Sequence, residues 1–373
     1  MTQRLMRACV VGAGLAGLCC ALAAASRGLR VQLLDEAAAP RVLAAHIEVV
    51  PNMLRDLVSF GVGDECVRAG FPYHGIDVID RHGRPLHQLP TERLAGPRFP
   101  AALGIRHDEL HRLLERAALE RGIALRRAAR VQAVHEEAGV VRVAIEGGES
   151  LEADLVVLAA GAGSPLSAAL FPHAKPVAEL RQAWWYTLLP RPVDLDRPLI
   201  GFGDAGRRAV LVPVRHDEAG LALIEPSAPP AGAAPAAHLH RALSAFAPRL
   251  RALAPRLDDS TPITLRPARS GLLDAPWHRA GVLAVGDCAH ALPPHFGQAA
   301  AQAVEDARVL ADVLHVAAGR AELFDAFERR RADRVRRVHE ITTTAARWDL
   351  RPDSAADLNL LTERLAQTVA QPA

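Results

Sequence analysis

A chain of 373 residues is longer than one simple core requires, so two structural units are expected, one of them interrupted in sequence. Hydrophobic residues make up 50% and charged residues 23%, which is ordinary globular composition with ample material for a core. The formal net charge of +2 gives no case for a nucleic-acid partner, and Cys9, Cys19, Cys20, Cys66 and Cys288 lack metal-ligand or redox spacing, so neither a metal site nor a disulfide framework is expected and a cytoplasmic protein fits best.

The apolar run Leu5 to Val11 suits a buried parallel strand. Gly12-Ala13-Gly14-Leu15-Ala16-Gly17 follows it as a tight turn and the start of a helix that ends near Gly28. Arg30 to Leu34 is a second strand, which completes a βαβ unit. In this register Gly12 permits the turn, Gly14 lets backbone approach a diphosphate, and Gly17 lets the helix pack closely on the strand. The helix start offers free N–H groups and a positive dipole to phosphates. Asp35 and Glu36 stand where an acidic residue should receive ribose hydroxyls, Asp35 better placed by strand register. The uncharged run 8–26 also has the look of a signal peptide or short membrane span, but that reading leaves the three glycines and the acidic strand end unexplained, and no stable membrane insertion is expected.

Residues 52–60 and 107–121 have helical spacing, and 124–159 reads as strands with turns at Glu136–Gly139 and Gly147-Gly148. A sheet texture interrupts this pattern. His74 to Leu89 is expected as a hairpin, and Trp184–Leu189, Leu199–Phe202, Ala209–Val214 and Leu221–Ile224 as a four-stranded meander. Residues 225–237 are loop-like, and 238–256 return to a helical pattern. From Gly281 a short strand, Gly286-Asp287 and a helix from Gln298 to Ala317 restore dinucleotide-domain texture. The expected fold is α/β: a Rossmann-like dinucleotide domain from 1–72, 100–172 and 272–325, an inserted, mostly antiparallel substrate domain from 73–99 and 173–271, and a C-terminal helical segment, 326–373. The run Arg329-Arg330-Arg331 with Arg334, Arg336 and Arg337 is interleaved with acids and reads as a solvated helix face or subunit contact.

The segment Val282-Leu-Ala-Val-Gly-Asp-Cys-Ala-His-Ala-Leu-Pro-Pro-His-Phe-Gly-Gln298 resembles the GD segment of the group A flavin-dependent monooxygenases, the para-hydroxybenzoate hydroxylase-like family. The resemblance covers the whole chain in order and makes the dinucleotide FAD. It implies that Asp287 binds ribityl and phosphate oxygens, that Pro294 lies beside the reactive edge of the flavin, and that backbone at Gly297, Gln298, Ala299 and Ala300 meets its pyrimidine ring. It further implies FAD contacts at Leu15, Ala16, Arg41, Arg106 and Val131, and it matches Pro51-Asn52 to the family's helix-opening pair. The implied reaction is hydroxylation of a small aromatic or heteroaromatic compound by O2 through a flavin C4a-hydroperoxide, with NADH or NADPH as donor. A homodimer and a separate reductase both stay open.

Candidates for substrate binding and proton transfer are His46, Glu48, Tyr186 and His295, with His46 and Glu48 on one face of a strand. Trp184 and Trp185 point to opposite faces, so one lines the pocket, whereas His290 is expected to be structural. The sequence departs from the family where Ala160 replaces an aspartate linked to FAD and NAD(P)H handling, where Ala299 and Ala301 replace a glycine and an asparagine, and where Ala44-Ala45-His46 replaces Gly-Ala-Gly. These departures keep open a flavoenzyme of other redox chemistry, one fed by a separate reductase, or an accessory flavoprotein without turnover.

Overall fold

The computed structural model describes residues 5–41, 44–226, 234–350 and 357–373. A six-stranded sheet runs in the order His278–Arg279, Val282–Ala284, Leu155–Leu158, Arg7–Val11, Arg30–Leu34, Ala124–Arg126. All its pairings are parallel except that of the short His278–Arg279 edge strand. Parallel strands covered on both faces read as continuous apolar runs, and Leu155–Leu158 is buried along its whole length. The fingerprint helix Leu15–Ser26 and the long helix Gln298–Val316 pack together on this sheet. Both are rich in alanine, which allows their axes to approach closely.

Gly17 sits at the closest point. A Cβ there would lie 1.7 Å from the Gly12 carbonyl oxygen, so only glycine lets the helix leave the turn. Gly12 has φ of +103° and itself abuts the Ala159 carbonyl, so the turn is pinned to the neighbouring strand.

The second sheet has eight strands in the order His290–Ala291, Ile263–Leu272, Ala178–Pro190, Glu218–Glu225, Arg208–Pro213, Leu199–Phe202, Ile76–Ile79, Pro85–Leu89. The hairpin and the four strands of the sequence reading are present, but the four strands do not form a simple meander. Ala178–Pro190 pairs with Glu218–Glu225 and with Ile263–Leu272, not with the strand that follows it. Ile263–Leu272 was not among the expected strands. Pro267 is accommodated beside an irregularity in register, where a missing ladder N–H is tolerated. A three-stranded sheet, His46–Val49, Ala102–Arg106 and Phe71–Tyr73, packs against the eight-stranded one. The helix Arg320–Leu350 runs unbroken across the 325/326 boundary expected for the C-terminal segment, and the last helix, Leu358–Val369, packs beside it.

Candidate active site

One cavity of about 1410 Å³ extends from the fingerprint turn to the inner face of the eight-stranded sheet. That exceeds the range of ordinary small-ligand pockets, roughly 300–1,000 Å³, and leaves room for a dinucleotide and a small ring compound together.

At one end Gly12, Gly14, Leu15 and Ala16 line the wall, with Asp35, Glu36 and Arg41 at the mouth. Asp35 Oδ2 accepts the Ala13 N–H at 2.6 Å and Oδ1 accepts the Ala37 N–H at 2.8 Å. The carboxylate therefore braces the turn and keeps lone pairs for ribose hydroxyls. Arg41 pairs with Glu36 at 2.9 Å. Val131 also lines this end. Gly17 does not touch the cavity and acts through packing, as its place in the fingerprint predicts.

Arg106 departs from expectation. It is absent from the cavity wall, and its guanidinium is held by Asp108 at 3.0 Å and Glu218 at 3.2 Å. Two carboxylates outside the cavity draw the side chain away from the place the family resemblance assigns it.

Midway, Asp287 opens into the cavity, and no described residue donates a hydrogen bond to its carboxylate. Burial raises its carboxyl above the usual range, a shift that His290 and Arg269 only partly oppose. A carboxylate so placed fits the ribityl hydroxyls of FAD, which would supply the missing donors. Beyond it Pro294, Phe296 and Gly297 turn the chain into the long helix. Phe296 at φ +59° and Gly297 at φ +65° place two successive residues in the left-handed region. This turn brings the N–H groups of Ala299 and Ala300 to the cavity, a cradle for an electron-rich ring edge, while the Gln298 N–H donates to the His295 carbonyl. The Gln298 side chain is tied to Asn52 at 3.3 Å and Gln302 at 3.1 Å.

The far end holds His46, Glu48, Tyr186 and His295 together, with Trp184 on the wall and Trp185 turned away to donate to Glu225 at 2.9 Å. Tyr73 donates to Glu48 at 3.2 Å. Burial raises the Glu48 carboxyl, with the Tyr73 hydroxyl and Arg208 opposing it, and burial with nearby His107 brings the His46 imidazole down to about 4. His46 is therefore neutral at pH 7. Its ring sits at T-shaped distance from Tyr186, 5.9 Å between centroids.

The bulky imidazole in place of the family's glycine is accommodated by a glycine of the eight-stranded sheet. A Cβ on Gly220 would lie 2.2 Å from the His46 ring. Gly220→Ala is thus expected to displace His46 at an overpacking cost of about 1–3 kcal/mol. Substrate-dependent activity should fall while FAD affinity, set at the other end of the cavity, is unchanged. Flavin-fluorescence titration beside steady-state kinetics checks this, and equal activity would remove His46 from the substrate wall.

Arg208, Arg266, Tyr73, His107 and the face of the last helix at Asn359 and Glu363 also line this end. None of them stood out in the sequence. Arg208 carried a usable signal, as the one charge in the otherwise apolar strand Arg208–Pro213. His290 is structural as expected, buried against Asp306 at 2.7 Å.

A family model described as FAD binding domain matches residues 6–342. The chain is 27% identical over 394 aligned residues to 6-hydroxynicotinate 3-monooxygenase of Bordetella bronchiseptica, covering 97% of each. It is 28% identical over 352 residues to FAD-dependent urate hydroxylase of Klebsiella oxytoca, covering 89% of this chain and 87% of that one. The solved structure of Klebsiella pneumoniae HpxO complexed with FAD and uric acid superposes with a TM-score of 0.82 at 25% identity, over 98% of this chain and 92% of that one.

Proposed function

The chain belongs to the group A FAD-dependent aromatic hydroxylases and is an FAD oxidoreductase, and from that premise we propose that it hydroxylates a small N-heteroaromatic compound bearing a ring hydroxyl or ring N–H. The net reaction is substrate–H + O2 + NAD(P)H + H⁺ to substrate–OH + H2O + NAD(P)⁺. FAD, when bound, takes up the reducing equivalents and activates O2.

The observation that carries this reading is the far end of the cavity. Aromatic faces (Trp184, Tyr186) stand beside polar groups (His46, Glu48, Arg208, His295) at the same end as Pro294. Such a wall stacks a flat ring and hydrogen-bonds its edge. A base that accepts the ring's O–H or N–H proton leaves the electron pair on the ring and makes it a better nucleophile. His46 and His295 are the proposed acceptors, and Glu48 and Tyr186 orient the ring. The relatives named for 6-hydroxynicotinate and urate point to the same substrate class.

The purified holoenzyme, given NADH or NADPH, O2 and a panel of hydroxylated pyridines, quinolones, purines and phenols, is expected to oxidise the nicotinamide faster with a fitting substrate and to form a hydroxylated product. No product, even with chemically reduced flavin, would overturn the reading. Ala160 favours a variant of it in which a separate reductase feeds the flavin, since the family's aspartate is missing from this cavity-lining turn. Slow flavin bleaching by NAD(P)H alongside product formation from pre-reduced enzyme would support that variant.

A further inference from the structure

Folded proteins pair their buried polar atoms, so a cluster of unpaired ones marks a place where a ligand or water is needed. Among the described residues, five such atoms belong to side chains that line the cavity: His46 Nδ1, His107 Nδ1, Trp184 Nε1, Arg208 Nε and His295 Nδ1. His295 differs from the other two histidines because its second nitrogen is committed to a carboxylate. Its Nε2 lies 2.7 Å from Asp349 Oδ2.

Asp349 reaches the site from the last turn of Arg320–Leu350, far from both the flavin-side loop and the inserted sheet in sequence. The same Oδ2 also receives Arg208 Nη2 at 3.1 Å and Gln182 Nε2 at 3.4 Å. Burial works against its charge, but Arg208 and His295 prevail and hold the carboxyl below its usual range. An ionised carboxylate only accepts hydrogen bonds, so the proton of the pair belongs on Nε2. Burial favours the neutral imidazole against the pull of Asp349, and in that form Nδ1 is a lone pair. Trp184 meets the same ring edge-on at 5.1 Å between centroids and limits its rotation.

We propose that Asp349 is a positioning residue that fixes His295 in the Nε2–H tautomer, so that Nδ1 serves the cavity as acceptor for the hydroxyl or ring N–H proton of the substrate. The substrate part rests on the hydroxylase reading above; the tautomer does not. When the proton moves to Nδ1, the electron pair of the broken O–H or N–H bond stays on the substrate and spreads into its ring. The imidazolium that results is stabilised by the Asp349 carboxylate behind it, and Arg208, held by the same oxygen, stays at the cavity wall.

Long-range ¹⁵N–¹H NMR of the ¹⁵N-labelled holoenzyme near neutral pH tests this without a substrate. The His295 signals are those lost in His295→Gln. The expected result is an acceptor-type shift on Nδ1 and an N–H-type shift on Nε2 in the native protein. In Asp349→Asn and Asp349→Ala that single-tautomer signature should be lost, with the proton shared with or moved to Nδ1. A native protein with the proton on Nδ1 would overturn the proposal even if neither variant folds, and so would variants whose His295 signature matches the native one. With a turnover substrate from the panel above, Asp349→Asn should lower kcat by about 10²- to 10⁴-fold with FAD content unchanged. An unchanged kcat would sink the proton-acceptor role while leaving the hydroxylase reading intact.

Discussion

Asp287→Ala is expected to purify with little or no flavin, and its apoprotein should be no less stable than the native apoprotein. The two effects have one cause. In the native apoprotein the carboxylate lines the cavity and is open to solvent there, and no described residue donates to it. Hydrogen bonds to a charged group contribute about 1.5–3 kcal/mol each, so each ribityl hydroxyl lost costs about 10- to 100-fold in FAD affinity. Without FAD the same carboxylate is a mild burden, because the surrounding protein raises its folded-state pKa while solvent in the open cavity screens the effect. For an acid shifted upward, the penalty is absent well below the unfolded value and grows as pH rises through the folded one. Native apoprotein should therefore lose stability relative to Asp287→Ala as pH increases, and the difference should vanish in acid. Fluorescence titration of FAD and thermal unfolding of both apoproteins across pH measure the two effects. Undiminished FAD affinity would place the ribityl chain elsewhere in the cavity.

The parts of this molecule that were legible in sequence are those whose requirement is local. Gly12 and Gly17 answer to a turn and a close helix contact within six residues, and the structure needs them for those reasons. Trp184 and Trp185 could be sent to opposite faces because a strand alternates with period two, although nothing in the alternation said which faced the cavity. Contacts between distant segments were not legible. Arg106 is drawn off the expected cofactor site by Glu218, which only the sheet insertion brings near. Asp349 meets His295 across 54 residues, and the helix carrying it gives no sign in its own pattern that its last turn meets a cavity-lining side chain. Gly220 looked like any strand glycine, and its reason is a ring on another sheet.

The largest stability loss is expected from Arg331→Met. In sequence this arginine belongs to a run of charges that reads as a solvated face, and part of that run is the opposite. The Arg331 side chain is fully buried between Arg320–Leu350 and Gln298–Val316. Its Nη1 donates to Glu305 at 2.6 Å, its Nε to Asp306 at 2.7 Å and its Nη2 to Gln302 Oε1 at 2.8 Å. A helix that rotates 100° per residue turns one arginine of a triplet inward while its neighbours stay near solvent, and counting charges conceals this. Removing one partner of a buried ion network leaves uncompensated charge, at a typical cost of about 3–5 kcal/mol. The two carboxylates are not equally exposed to the loss. Glu305 keeps Arg55 at 3.0 Å and Arg334 at 2.7 Å, whereas among the described residues Asp306 keeps only the His290 ring and the Gly286 N–H. Burial opposes the charge on Asp306, and His290 and Arg331 together bring its carboxyl down to about 2. Without Arg331 that value rises, so the variant's deficit should be full near pH 8 and shrink as acid protonates Asp306. Because Asp306 also anchors the Gly286 N–H at 2.8 Å, one residue before Asp287, FAD affinity should fall with it. Urea unfolding at several pH values measures the deficit. A loss below about 1 kcal/mol, the scale of surface pairs, would mean that the network relaxes around the gap and carries little of the fold's stability.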